Sequence, residues 1–89
     1  MRSLDIEAVR AFIMTVDLKG FTRAASALDA TQSAVSLRIK RLEEVLGRRL
    51  LERTPRHIRL SADGEAFLPR ARLLLAAHQN AIGSFDADR

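Results

Sequence analysis

A mainly α-helical fold of three helices, a two-stranded hairpin and one long final helix is predicted by three observations. Apolar residues recur at helical spacing in three long stretches, seen in Ile6, Val9, Phe12, Ile13 and Val16, in Val35, Ile39, Leu42 and Leu46, and in Phe67, Ala71, Leu74, Leu75, His78 and Ile82. Between the first two lies a short run of small residues, Ala24 to Ala27, bracketed by Lys19-Gly20 and Asp29-Ala30. Ile58-Arg59-Leu60 then alternates apolar and polar, as a half-buried strand does.

The first helix is expected from about Asp5 to Leu18, capped by Asp5 or Ser3 and stopped at Gly20. A second, short helix is expected from Thr22 to Leu28, with Thr22 as its N-cap. Its small side chains let a neighbouring helix approach closely. Asp29-Ala30 makes a turn, Thr31 caps a third helix over 32–46, and Gly47 ends it. A helix, a tight turn and a helix with small residues at the crossing is the helix-turn-helix pattern. Leu50 to Arg53 and Ile58 to Leu60 form the arms of a hairpin, or wing, turned by Thr54-Pro55; an irregular loop is the alternative. Ser61 caps the last helix, whose first turn carries Asp63 and Glu65, where the helix dipole favours anions. That helix runs to about Ser84, with a kink or a fresh start expected at Pro69. It is long for so small a domain, and its C-terminal half lacks an obvious intrachain partner. The stripe of Phe67, Ala71, Leu74, Leu75, His78 and Ile82, continued by Phe85, is therefore the candidate dimer contact.

The 89 residues allow one compact core. Thirteen of the 15 cations are arginine, whose planar fork suits phosphate and guanine, and the net charge is +4. From Arg38 to Arg59 eight cations face three anions, which reads either as a solvated face or as a nucleic-acid footprint. There are no cysteines, which excludes disulfides and thiolate chemistry. The longest strongly apolar run, Leu73 to Ala77, is too short for a bilayer, and the N-terminus has no apolar signal region. A soluble, cytoplasmic protein without a membrane partner is expected. No nucleophile–base pair, metal-ligand cluster or glycine-rich phosphate loop is visible, so neither enzymatic activity nor a cofactor is expected.

The third helix carries the functional signal. Opposite its apolar stripe it presents Gln32, Ser33 and Ser36, then Leu37 and Lys40. Small hydrogen-bonding groups at a helix start, followed by a cation, suit a helix that meets DNA in the major groove. Gln32 either reads adenine bidentately, bonds phosphate, or caps its own helix. Ser33 and Ser36 reach bases or phosphates, or are plain surface serines. Leu37 packs on a thymine methyl or is an ordinary exposed leucine. Lys40 meets the backbone, while Arg38 and Arg41 lie on the flanks, within reach of Glu43 and Glu44. Thr22 and Thr31 start helices whose N-termini can face phosphates. Arg23 is a candidate phosphate clamp. Arg53 contacts DNA or pairs with Glu52 or Asp63, Arg56 is the candidate minor-groove residue at the wing tip, and His57 sits beside it near the phosphates. His78, with no second ligand nearby, reads as a half-buried interface histidine rather than a metal ligand. The competing reading is a protein-interaction module whose last helix is the adaptor surface and whose basic face only aids solubility.

Phe21-Thr22-Arg23-Ala24-Ala25, Thr31-Gln32-Ser33-Ala34-Val35-Ser36, Ile39, Leu42-Glu43, Leu46-Gly47, Leu50-Leu51-Glu52-Arg53, Arg56, Leu60-Ser61 and Gly64 together resemble the N-terminal DNA-binding domain of LysR-type transcriptional regulators. The likeness covers nearly the whole chain without a gap. It implies a winged helix-turn-helix over 1–60 and a linker helix over 61–89 that pairs with its twin in a homodimer. It also implies binding of double-stranded DNA at an interrupted palindrome with A·T-rich flanks, in the cytoplasm at the nucleoid. A small-molecule effector would act only through a separate C-terminal domain of two α/β lobes, so this chain resembles an isolated DNA-binding portion. The sequence departs from the pattern at Leu51, where phenylalanine is frequent, and at Lys19-Gly20, where glycine and serine are usual. It departs again at Leu37, where a polar or cationic base reader is frequent, and at His57, where glycine is common.

Overall fold

The computed structural model describes residues 2–53 and 57–86. In chain order its elements are α1 (Ile6–Leu18), α2 (Phe21–Ala27), α3 (Gln32–Leu46), β1 (Leu51–Arg53), β2 (Ile58–Leu60) and α4 (Ala62–Asp86). The strands pair antiparallel with Leu51 opposite Leu60 and Arg53 opposite Ile58, so the wing is a hairpin rather than a loop.

The helix starts follow local side-chain chemistry in α1 and α3. Asp5 accepts the Glu7 amide at 3.0 Å, and Thr31 Oγ1 accepts the Ala34 amide at 3.0 Å, each satisfying a donor that the first turn would otherwise leave unpaired. For α4, Ser61 Oγ accepts the Gly64 amide at 2.9 Å and donates to the Arg49 carbonyl at 2.5 Å. In α2 the expectation fails. The helix starts one residue earlier, its N-cap is Gly20, and no side chain caps it; Thr22 lies inside the first turn with its hydroxyl engaged elsewhere.

The first three helices end alike, with a left-handed residue and a backbone bond reaching five residues back. The donors and acceptors are Gly20 to Thr15 at 3.2 Å, Ala30 to Ala25 at 2.9 Å and Arg48 to Glu43 at 3.2 Å. The left-handed residues are Lys19 (φ 59°), Asp29 (φ 52°) and Gly47 (φ 67°). Only the third is glycine. Gly20 was the expected breaker of α1, but it is extended at φ 169°, a conformation open to any residue, and Lys19 makes the turn.

The core lies where α1, α2 and α3 meet, roofed by the wing and the first half of α4. Phe12 and Val9 of α1, Val35, Ile39 and Leu42 of α3, Leu50 just before the wing and Leu51 at the start of β1 are buried together. Ala24 and Ala25 are buried at the α2 crossing, which is the close approach their size predicts. Ile6 and Val16, expected in the apolar face of α1, are only half-buried, while Ala8, Ala11 and Thr15 are buried. Thr15 is tolerated there because its hydroxyl donates to the Ala11 carbonyl at 2.8 Å.

Glu43 holds the wing's entry in place. Its carboxylate accepts the amides of Leu50 and Leu51 at 2.7 and 3.2 Å, so it pairs with neither Arg38 nor Arg41. Arg2 donates to the Val45 and Leu46 carbonyls at 3.0 and 3.4 Å, placing a cation on the negative end of α3.

α4 runs on unbroken through Pro69, with no division into two sections. Its first half belongs to the core. The Phe67 ring lies 5.7 Å from that of Phe12, Ala71 is wholly buried, and Leu68 and Leu75 pack on the cluster. Arg72 grips Asp17 of α1 through two hydrogen bonds of 2.6 and 3.0 Å. That contact holds the Asp17 carboxyl below its usual range and the Arg72 guanidinium above its own. Ala71 therefore has no surface left to offer a partner, while Phe67 stays half-buried beside it. Beyond it α4 projects from a molecule measuring 48 × 31 × 19 Å.

Candidate nucleic-acid interface

The exposed face of α3 and the end of β1 together line one open concavity. Its walls are Gln32, Ser33, Ser36, Leu37 and Lys40 from α3 and Arg53 from β1. The apolar stripe fixes this arrangement. With Val35, Ile39 and Leu42 pinned in the core, the positions on the opposite side of the helix must point outward. Leu37 is 46% exposed, a methyl-bearing group in the middle of a polar and cationic surface. Six of the expected contact residues thus converge.

Arg53 is aimed by a ring. Its guanidinium sits 4.9 Å from the centroid of Phe21 at the start of α2, and it pairs with neither Glu52 nor Asp63. Asp63 instead lies 3.9 Å from Arg48. Stacking leaves the edge of the Arg53 fork, where its donors lie, free to meet an acceptor. Phe21 carried no functional signal in the sequence, since an apolar residue at a helix start reads as core.

The other expected residues stand outside the concavity. Thr22 reaches it through Gln32, whose Oε1 accepts the Thr22 hydroxyl at 3.2 Å. Gln32 is therefore not a cap for its own helix; Thr31 does that. Arg23 donates to the Leu18 carbonyl at 3.4 Å, so its charge sits at the C-terminal end of α1. His57 is exposed just before β2. Arg56 lies outside the described residues. Arg38 and Arg41 line a different groove, with Ser3, Leu4, Asp5, Ala8, Leu42 and Val45.

Among the described residues no three histidine or acidic side chains gather to hold a metal, and no helix is long and apolar enough to cross a membrane. His78 is half-buried on α4 with its Nδ1 lacking a hydrogen-bond partner.

Residues 6–65 match the family model described as the bacterial regulatory helix-turn-helix protein, lysR family. The chain is 37% identical over 81 residues to the HTH-type transcriptional regulator DgdR of Burkholderia cepacia, covering 91% of this chain and 28% of that protein. It is 44% identical over 78 residues to the HTH-type transcriptional regulator HdfR of Shigella boydii serotype 18, covering 88% of this chain and 28% of the relative. The chain thus spans little more than a quarter of these curated relatives. Among solved structures, the BenM DNA-binding domain in complex with catB site 1 DNA superposes with a TM-score of 0.86 at 31% identity, covering 93% of both chains. Vibrio fischeri DarR in complex with DNA superposes at 0.88 with 28% identity, covering 96% of this chain and 29% of DarR. With the family model spanning the three-helix core and the wing, this chain belongs to the lysR family of bacterial regulatory helix-turn-helix proteins.

Proposed function

We propose that this domain is a sequence-specific reader of double-stranded DNA that serves transcription regulation, and that it acts as a homodimer. The observation that carries the reading is the convergence of Gln32, Ser33, Ser36, Leu37, Lys40 and Arg53 on one surface. Polar donors and acceptors, a methyl-bearing side chain and two cations are the groups that base edges and phosphates require. The BenM and DarR complexes, each of a protein with the same fold bound to DNA, support it. In this reading α3 enters the major groove, Lys40 and Arg53 meet phosphates, and the wing places Arg56 and His57 at the adjacent minor groove. Thr31 and Arg23 stand at helix ends beside the same backbone. Leu74, Ile82 and Phe85 of α4, exposed in the single chain, meet the twin helix, with His78 alongside. Two-fold symmetry then sets two half-sites about one helical turn or a multiple apart. Any response to a small molecule belongs to a separate effector domain of the longer regulators, and the site of action is the cytoplasm, at the nucleoid.

Titrating duplex DNA across a salt series tests the phosphate contacts. Arg53→Ala and Arg56→Ala should each weaken binding and lower the salt slope by about one unit. Wild-type slopes in both variants would remove both arginines from the interface.

A further inference from the structure

We propose that Thr22 decides which base edge Gln32 reads, by holding the glutamine's carbonyl oxygen and turning its amide NH2 toward the DNA. The inference rests on the reading of α3 as the DNA-facing helix and names the specificity of one of its side chains.

A glutamine carboxamide has one acceptor oxygen, with two lone pairs on the same side of the group, and one NH2 donor group on the other, so a bond that fixes the oxygen's direction also fixes that of the NH2. To read adenine bidentately it needs both, the oxygen accepting from N6 and the nitrogen donating to N7. Here Oε1 of Gln32 takes the Thr22 hydroxyl at 3.2 Å, a contact between residues ten apart in sequence, across the turn from α2 to α3. The tether has a firm anchor, because α2 is seated in the core by Ala24 and Ala25. With the oxygen held on the protein side, the NH2 becomes the outward group. A group that only donates finds two acceptors, O6 and N7, on guanine and one, O4, on thymine; at adenine it can reach N7, but the second bond from N6 that would favour adenine is lost.

The same bond constrains Thr22. A hydroxyl has one hydrogen to give. Spent on Gln32, it is not available to a phosphate oxygen. Thr22 is then a positioning residue that acts through Gln32, although its place in the first turn of α2 would equally suit a direct backbone contact.

A double-mutant cycle on this 89-residue chain separates the two roles. Four duplexes are prepared from a selected binding site, differing only at the base pair whose discrimination Gln32→Ala abolishes. Wild-type protein should prefer guanine or thymine there. Thr22→Val, close to isosteric but without the hydroxyl, should shift the preference toward adenine, changing the ratio by about tenfold or more, the span expected for one bidentate contact. Thr22→Ser should restore the wild-type ratio, and Thr22→Val should change nothing further in the Gln32→Ala background. Melting curves of each variant establish that folding is intact. Equal weakening on all four duplexes, by the same factor with and without Gln32, would overturn the inference and make Thr22 a phosphate contact. So would a wild-type preference for adenine, or a discriminating protein whose base preference survives Gln32→Ala. Binding with no discrimination at any position by the wild-type chain would instead sink the DNA-reading proposal itself.

Discussion

The two halves of α4 are one continuous helix with opposite surroundings. From Ala62 to Leu75 the chain encloses much of it, through Gly64, Phe67 and Ala71 on the core and Arg72 on Asp17. From Gln79 to Asp86 every residue is exposed, including Ile82 at 55% and Phe85 at 78%. Apolar side chains occur in both halves at the same helical spacing, so spacing alone does not say whether a stripe serves its own core or a partner. The reach of the rest of the fold decides. The three-helix body covers one face of the first half and ends there, leaving Leu73 and Leu74 on the other face, and the whole second half, with their apolar groups in water.

Breaking the enclosed half should have the largest effect. A Cβ at Gly64 would overlap the carbonyl oxygen of Leu50, a backbone atom that cannot turn aside, at the place where Leu50 also accepts the Ser61 amide at 2.9 Å. Alanine gains about 1 kcal/mol of helix propensity over glycine. Overpacking costs roughly 1–3 kcal/mol, and an overlap with a backbone oxygen rather than a flexible side chain puts this site at the upper end, so the clash wins. Gly64→Ala should therefore lower stability in urea, and an unchanged or raised midpoint would mean that α4 is free to shift away from the wing.

Changes in the projecting half should move assembly without moving the fold. Ile82→Glu combined with Phe85→Glu should leave the unfolding midpoint of dilute protein within about 0.5 kcal/mol of wild type, as surface substitutions do. The same pair should shift the sedimenting species from dimer to monomer. A lost midpoint with unchanged mass would place these side chains on the chain's own core.

A smaller effect than that of Gly64→Ala, with no change of assembly, belongs to the bond between Arg72 of the enclosed half and Asp17 of α1. Both side chains of the Asp17–Arg72 pair are more than a third exposed, so the pair contributes at most about 1 kcal/mol despite its two-pronged geometry. Arg72 lowers the Asp17 carboxyl, so the contribution is present above the ordinary carboxylate range near pH 4. It fades as pH falls through the lower folded-state value. Asp17→Asn should destabilise slightly at neutral pH, and the gap from wild type should close in acid. A gap that persists at low pH would assign the loss to packing.

The contrast between the halves also marks what the sequence made legible. Periodicity alone found the Val35, Ile39 and Leu42 stripe and hence the outward face of α3, because a helix with one side pinned leaves the other no choice. Thr31 and Gly47 were legible because a cap and a left-handed stop depend on neighbours in sequence. Lys19 and Asp29 take the same left-handed turn as Gly47 without its signature, so the end of α1 at Leu18 was legible while the residue that makes its turn was not. The pairs that aim the reading face were invisible for a different reason. Phe21 with Arg53, Thr22 with Gln32, and Glu43 with the Leu50 and Leu51 amides join residues that only the folded chain brings together. The burial of Ala71 was missed likewise, since nothing in the stripe says where the covering body stops.

In vitro selection from a random duplex library with this 89-residue chain, at near-physiological salt, tests both halves of the molecule at once. The account predicts enrichment of an interrupted palindrome with A·T-rich flanks, one half-site for each reading face that the paired helices hold. Enrichment of nothing, with weak and salt-sensitive binding to every sequence, would contradict it.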